Sequence, residues 1–334
     1  MIAHFTWIRP QPTGLFIEPA QCWIDPSSAV DLALVTHGHA DHARGGHART
    51  IATPETLAIM ALRYQTEAGA TPVGYGETVE LAGGVTATFQ PAGHVLGSAQ
   101  ILLNFRGETA VVSGDYKRRF DPTCPPFTVT PCDVFITEAT FGLPVFRHPP
   151  IAEEIARLLD ARAAHPQRCV LVGAYALGKA QRVIAELRHA GYAEPIYLHG
   201  ALERMCGLYA EHGINLGPLL PATSAARGEL AGQIVMAPPG ALNDRWARRL
   251  PDPITAMASG WMQIRQRARQ RNVELPLVIS DHADWTELTR TIAEVNPAET
   301  WITHGREEGL LRWCELHQRS ARPLALLGYE DEDD

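Results

Sequence analysis

Short apolar runs punctuated by Gly, Pro and Asp dominate the first half of the chain, and helical spacing joins them from about residue 151 onward. The opening segment predicts β runs at 4–8, 14–18 and 21–24, an antiparallel start to a sheet. Leu32-Ala33-Leu34-Val35 reads as a buried strand. Thr53 and Pro54 suit the N-cap and first position of a helix over 55–64. Strands follow at 85–89, 101–105, 109–113 and 133–137, with a turn at Arg106-Gly107. From residue 151 the pattern predicts helices over 151–164, 177–189, 201–211 and 243–250, interleaved with strands at 169–172, 233–236 and 255–258. Such alternation describes a compact α/β unit. Strand character resumes at 277–280, a capping-box-like Asp284 and Glu287 open a helix to Val295, and 300–303, 306–318 and 323–327 predict strand, helix and strand. No internal repeat is evident.

Chemistry collects at the ends of these runs. His37, His94, Asp115, Glu138, His282 and His304 each follow a predicted strand within a few residues. A rigid sheet can position such side chains while leaving them open to substrate. The densest case is Thr36-His37-Gly38-His39-Ala40-Asp41-His42, where three imidazoles and a carboxylate crowd one loop. Imidazole and carboxylate are donors for zinc and its neighbours. His37 and His39, two apart, point the same way in an extended loop, while Asp41 and His42 can face a second ion. A merely solvated polar loop rarely carries donors at this density. Taken alone, His94 and Asp115 would read as ordinary turn residues; their order after the histidine loop changes that. His47 has no place in the pattern.

Length and composition bound the rest. The 334 residues suffice for two domains of ordinary size. Hydrophobic content of 46% with 20% charged residues describes a folded, soluble protein. No apolar run is long enough to cross a bilayer, and the N-terminus lacks the plan of a signal peptide. Six scattered cysteines without a CxxC pair read as reduced thiols, so a cytoplasmic location is expected. The net charge of −8, much of it from the tail at 330–334, excludes a general basic coat for nucleic acid. It leaves nucleic acid open as a substrate, because bound divalent ions add positive charge where phosphate would sit.

The order HxHxDH, then Gly93-His94, then Gly114-Asp115, then a late His304 resembles the metallo-β-lactamase-fold hydrolases with two metals. The resemblance implies one metal held by His37, His39 and His94, and a second held by Asp41, His42 and His304. Asp115 would bridge both, and Asp31 would orient a ligating histidine from behind. Zinc fits these donors best and manganese is the alternative. Two cations ~3.5–4 Å apart can activate a shared hydroxide and clamp both oxygens of a phosphodiester.

Further motifs resemble one branch of that fold, the β-CASP nucleases. Thr137-Glu138-Ala139-Thr140-Phe141-Gly142, Ser280-Asp281-His282-Ala283-Asp284 and Ile302-Thr303-His304-Gly305 resemble its later motifs. Ala174–Gln181 resembles the "FALGRAQ" helix start of its inserted domain, and Ala258-Ser259-Gly260-Trp261-Met262 its "SGM" turn. The resemblance spans most of the chain, from Asp31 to His304. It implies a catalytic group of Asp41, Asp115, His282 and Glu138, with His282 beside the scissile phosphate and Glu138 supporting a histidine. Ser259, Gly260, Lys179 and Arg265 are the expected phosphate contacts, Arg265 opening a run with four arginines in seven residues. Lys117, Arg118 and Arg119 form a second basic cluster, and Trp261 and Tyr116 could stack on bases.

The fold class expected is therefore α/β, a four-layer αββα metallo-β-lactamase sandwich at 1–150 and 277–334 with a small inserted β-CASP domain at 151–276. A substrate strand would lie in the cleft between the domains. The insert is small for the group, and no RNA-binding module follows it. The short form resembles the bacterial ligase-associated DNA exonucleases, which implies DNA as the favoured substrate and DNA ligase and helicase as pathway partners, with no membrane. The alternatives are an RNA-processing nuclease of the same group and a glyoxalase-II-like thioesterase. The latter has no reason to carry the Glu138, His282 and Ser259-Gly260 features.

Overall fold

The computed structural model describes residues 5–65 and 69–324. The tail at 330–334 and most of the expected last strand fall outside them. Among the described residues, those from 5 to 147 together with those from 282 to 324 form one compact unit, and His148–Asp281 form a second.

The first unit begins with β1 (Ile8–Gln11), β2 (Gly14–Ile17), β3 (Cys22–Ile24), β4 (Leu32–Leu34), β5 (Arg49–Ala52), α1 (Pro54–Tyr64) and β6 (Ala70–Pro72). These six strands make one sheet in sequence order, antiparallel through β3 and parallel thereafter. Next come β7 (Thr78–Glu80), β8 (Thr86–Pro91), β9 (Ala99–Phe105), β10 (Glu108–Val112) and β11 (Val134–Ala139). The second unit contributes α2 (Ile151–Ala164), β12 (Val170–Gly173), α3 (Lys179–His189), β13 (Ile196–Leu198), α4 (Gly200–Glu211), β14 (Leu219–Pro221), β15 (Ile234–Ala237), β16 (Ile254–Ala258), α5 (Arg265–Gln270) and β17 (Leu275–Leu277). Its sheet is wholly parallel, in the order β14-β13-β15-β12-β16-β17. The chain returns to the first unit with α6 (Trp285–Val295), β18 (Glu299–Gly305), α7 (Glu307–Leu316) and β19 (Ala321–Pro323). There β18 inserts between β19 and β11, giving the sheet order β19-β18-β11-β10-β9-β8-β7.

Alternation along the strands builds the layers of the first unit. Leu34, Ile101, Ala110, Val112, Val134 and Ile136 point into a core shared by its two sheets. Their neighbours Ala33 and Val35 face outward onto Met60 of α1, while Val111, Phe135 and Ile302 face outward onto Leu288, Ile292 and Leu310 of α6 and α7. Period-2 side-chain alternation in strands buried on both faces thus gives a helix–sheet–sheet–helix sandwich. The predicted helix starts are realised. Thr53 Oγ1 accepts the Thr56 N–H at 3.2 Å, and Asp284 Oδ1 accepts the Glu287 N–H at 3.0 Å.

The helix expected at 243–250 is absent. In its place are 3₁₀ turns at Pro239–Asn243 and Ala247–Arg249. Asp244 Oδ1 takes the Trp246 and Ala247 N–H groups at 2.7 and 3.0 Å, diverting donors that a continuous helix would use. The strand β5 was not anticipated, its apolar core being only Ile51-Ala52.

Candidate metal centre

The histidine loop leaves β4 and is fastened from below by α1. Arg63 Nη1 donates to the Gly38 carbonyl at 2.7 Å, and the Tyr64 hydroxyl donates to the Ala43 carbonyl at 2.7 Å. A Cβ on Gly38 would meet Ile59 Cγ2 of α1 at 2.7 Å, so this loop lies too close to the helix for any side chain there. His94 arrives on the loop after β8, where its N–H reaches Ser98 Oγ at 3.0 Å. Asp115 follows β10 beyond Gly114, whose φ of +54° and whose approach to Thr36 Oγ1, 2.7 Å from an added Cβ, both require glycine. Glu138 sits at a register shift between β11 and β18, a bulge that re-aims the side chain. His304 near the end of β18 has a φ of +54°, a backbone conformation uncommon outside glycine.

These segments converge. His37, His39, His94 and Asp115 each bring a donor atom within 4.8 Å of the others. His42, Asp115 and His304 do the same, as do Asp115, Glu138 and His282. Asp115 belongs to all three groups. Its Oδ2 lies 3.3 Å from His37 Nε2, 3.6 Å from His42 Nε2, 3.7 Å from His94 Nε2 and 4.0 Å from His282 Nδ1. Asp41 borders the second group, with Oδ2 3.5 Å from His42 Nε2.

Electrostatics readies the donors. Burial, reinforced by the neighbouring His42, lowers the pKa of His37; burial with His37, His282 and His39 holds that of His94 well below the usual value. Burial, then His42, pushes His304 down to about 4. These three rings stay uncharged at neutral pH. Burial opposes the charge on Asp115, but His42, His282 and His37 outweigh it and hold the carboxyl well below its ordinary range. His42 goes the other way: burial resists its protonation, yet Asp41, Asp115 and Asp25 raise it to about 10. An ionised carboxylate among uncharged imidazoles suits divalent metal ions.

Support behind the donors differs from expectation. Asp31 is exposed and does not orient a ligand histidine. That place is taken by Asp25, which follows β3 with a φ of +45°. Its Oδ2 lies 2.8 Å from His42 Nδ1 and 2.5 Å from Thr36 Oγ1, and its Oδ1 accepts the Thr36 N–H at 2.8 Å. Asp31 misses because β4 carries it away from the strand ends, whereas Asp25 stands at one. A carboxylate just past a buried strand was the available signal. Glu138 Oε2 lies 3.0 Å from His282 Nδ1 and accepts the Thr140 hydroxyl at 2.6 Å, and Oε1 accepts the Tyr116 N–H at 2.7 Å. Tyr116 is itself fully buried and presents no face to a base.

The basic residues also need correction. Lys117 is buried. Its Nζ donates to the Gly93 and His94 carbonyls at 2.5 Å and pairs with Asp121 at 2.7 Å, so it fastens the His94 loop rather than meeting phosphate. Arg118 and Arg119 pair with Glu294, and with Asp284 and Glu287, on α6. In the second unit Lys179 is buried against Asp281 at 2.8 Å. Ser259 is buried, its Oγ capping a 3₁₀ turn through the Trp261 N–H at 3.3 Å, and Gly260 is buried within that turn. Of the four expected phosphate contacts, Arg265 is exposed.

A sandwich whose strand ends gather imidazoles around a shared carboxylate makes a candidate site for metal ions. No family model matches the chain. A probable DNA ligase of Opitutus terrae is 30% identical over 94% of this chain and 32% of its own length. Subunit 3-I of the cleavage and polyadenylation specificity factor of Arabidopsis thaliana is 23% identical over 91% of this chain and 55% of its own. A Thermus thermophilus ribonuclease is 29% identical over 55% of this chain and 50% of its own. The chain thus spans about a third to about half of these curated relatives. A crystal structure of an Enterococcus faecalis protein of unknown function superposes with a TM-score of 0.58 over 90% of this chain and 80% of that one, at 14% identity. These relatives are consistent with the family that the motifs resemble, the β-CASP nucleases of the metallo-β-lactamase fold.

Proposed function

We propose that the first unit is a metallo-β-lactamase fold, that the second is its β-CASP insert, and that the protein is a metal-dependent nuclease, a DNA exonuclease acting in end processing. The observation that carries this reading is the membership of Asp115 in three donor groups at once. His37, His39 and His94 would hold one cation, and Asp41, His42 and His304 the other, with Asp115 common to both. When bound, such a pair supplies Lewis-acid polarisation of the phosphate and a nucleophile at neutral pH.

The protein's own groups have distinct tasks. Glu138 is acceptor-only when ionised, so it fixes the proton of His282 on Nδ1, the nitrogen 3.0 Å away. That leaves Nε2 to serve the departing oxygen. Asp25 fixes one proton of His42 on Nδ1 in the same way, so the proton lost on ligation is the one on Nε2, the nitrogen 3.6 Å from Asp115. Thr140 and the Tyr116 amide hold Glu138 itself.

The similarity to a probable DNA ligase across nearly the whole chain supports DNA as substrate and a role alongside ligation. The endoribonuclease and ribonuclease relatives support a second reading, action on RNA. Digestion of end-labelled single-stranded and duplex DNA and RNA during titration with zinc or manganese separates the two. Stepwise mononucleotide release from DNA is expected. Cleavage of RNA alone would select the second reading, and no phosphodiester cleavage with either metal would end both.

A further inference from the structure

The second unit carries a face of arginines that the metal centre does not use. Between residues 244 and 274 stand seven arginines and three carboxylates, in a chain whose net charge is −8. The three carboxylates are engaged elsewhere. Asp252 and Glu274 both pair with Arg168, at 3.1 and 3.0 Å, and Asp244 accepts backbone N–H groups of its own turn. Among the described residues, Arg245, Arg248, Arg249, Arg265 and Arg269 are exposed and form no ion pair.

Packing brings the two arginine-bearing segments together. Ala247 and Leu250 from one, and Ala268 from α5, enter the same apolar cluster, with Trp246 and Val273 against it. Asn243 Nδ2 donates to the Arg271 carbonyl at 3.5 Å across the two segments. With their small apolar residues turned inward, both segments turn their arginines outward. Arg267 lies over the Trp261 ring at 4.1 Å and shows how a guanidinium here is held flat. Concentrated unpaired positive charge on an acidic protein costs self-repulsion unless an anionic partner relieves it.

We propose that this face binds the phosphodiester backbone of a nucleic-acid strand, independently of base sequence. Guanidinium forks match phosphate oxygens, and each neutralised phosphate releases counterions. The proposal rests on the nuclease reading and names the surface of the second unit that holds the polymer.

The test is affinity of the full-length, metal-loaded protein for a hydrolysis-resistant phosphorothioate 30-mer over a salt series. Five phosphate contacts contribute a slope in log K against log salt of about −3.5 for a single strand. Changing Arg245, Arg248, Arg249, Arg265 and Arg269 together to Gln should flatten the slope by about that much and weaken binding at low salt at least tenfold. The matching five-lysine variant should recover most of the slope, because lysine keeps the charge; a packing role would not be rescued this way. Unchanged thermal unfolding and metal content establish that the Gln variant is folded. An unaltered slope in that variant would overturn the proposal. So would retention on phosphatidylserine vesicles with no affinity for the 30-mer. Binding without any cleavage of ordinary oligonucleotides by wild-type protein would spare this surface and remove the nuclease reading instead.

Discussion

Replacing Asp25 by Asn tests the architecture of the centre at a residue that no ligand motif contains. Asp25 takes two donors from Thr36 and one from His42 Nδ1, all within 2.8 Å. An asparagine amide cannot satisfy all of them. If its oxygen keeps the Thr36 N–H, its NH₂ faces His42 Nδ1, and the ring proton must move to Nε2, the atom needed for a metal. If the amide flips, its NH₂ opposes the buried Thr36 N–H, at about 1–3 kcal/mol for the unsatisfied donor. The charge-assisted bond to His42 is lost either way, at about 1.5–3 kcal/mol. One effect works in the opposite direction. His42 stands at about 10 without metal, so at pH 7 its proton must be expelled before ligation, at about 4 kcal/mol. Asp25 is the third carboxylate behind that rise, after Asp41 and Asp115, so removing it relieves only the smaller part. After that relief the net loss is roughly 10- to 100-fold in affinity for the metal at the His42 site, about 1.4–2.7 kcal/mol, in line with other residues that orient ligand histidines. Competition with a chromophoric chelator, together with metal content per chain, measures it. Asp31→Asn is the control: this residue is exposed and should leave both readings unchanged. Equal losses in the two variants would refute the reasoning.

Other consequences follow from the same geometry. Glu138→Gln should lower kcat by roughly 10- to 100-fold with two metals still bound, because His282 loses a charge-assisted partner worth about 1.5–3 kcal/mol; loss of metal in that variant would assign Glu138 to ligation instead. Lys117→Met should destabilise the fold by about 3–5 kcal/mol in chemical denaturation, since it removes the cation paired with the buried Asp121 carboxylate and the donor to two loop carbonyls. A cost below about 1 kcal/mol would show that the pair contributes little. Zinc binding to metal-free protein at pH 7 should release at least one proton, from His42, and up to one more from metal-bound water, while His37, His94 and His304 release none. Titration calorimetry in buffers of different ionisation enthalpy counts it, and zero would contradict the charge on His42. In metal-free protein His304 titrates near 4 when folded and near 6.5 when unfolded, so its stability contribution is present above the unfolded value and disappears as pH falls. Between pH 6.5 and 4 the loss should be about 3 kcal/mol, and His304→Asn should flatten it.

What the sequence disclosed and what it hid divide along a physical line. The donors at strand ends were legible because local rules place them: an apolar run fixes the strand, and the next polar residue must leave the sheet at its edge. His37, His94, Asp115, Glu138 and His304 all follow from that rule, and the structure brings them together. The helix starts at Thr53 and Asp284 were legible for a similar reason, a cap being a contact over three residues. Partners of charged groups were not legible, because they depend on segments far apart in the chain. Lys117, two residues past Asp115, looked like part of an open basic cluster, yet its ammonium closes on carbonyls 23 and 24 residues back. Lys179 at a helix start looked available to an anion, yet it meets Asp281, a hundred residues on and adjacent to His282 in sequence.

The same distinction explains why the sequence pointed to Asp31 while the structure uses Asp25. The family resemblance pointed to Asp31, six residues before His37. Proximity in space is set by β3 and β4 running parallel, which aligns Ile24 with Leu34 and brings the residues after each strand to one rim. Parallel pairing places the C-terminal ends of both strands on the same side, so a residue following β3 meets those following β4. Asp31 precedes β4 and is carried to the opposite rim. In a sheet with parallel strands, the groups that support a strand-end centre should therefore be sought after neighbouring strands, not before the strand that bears the ligands.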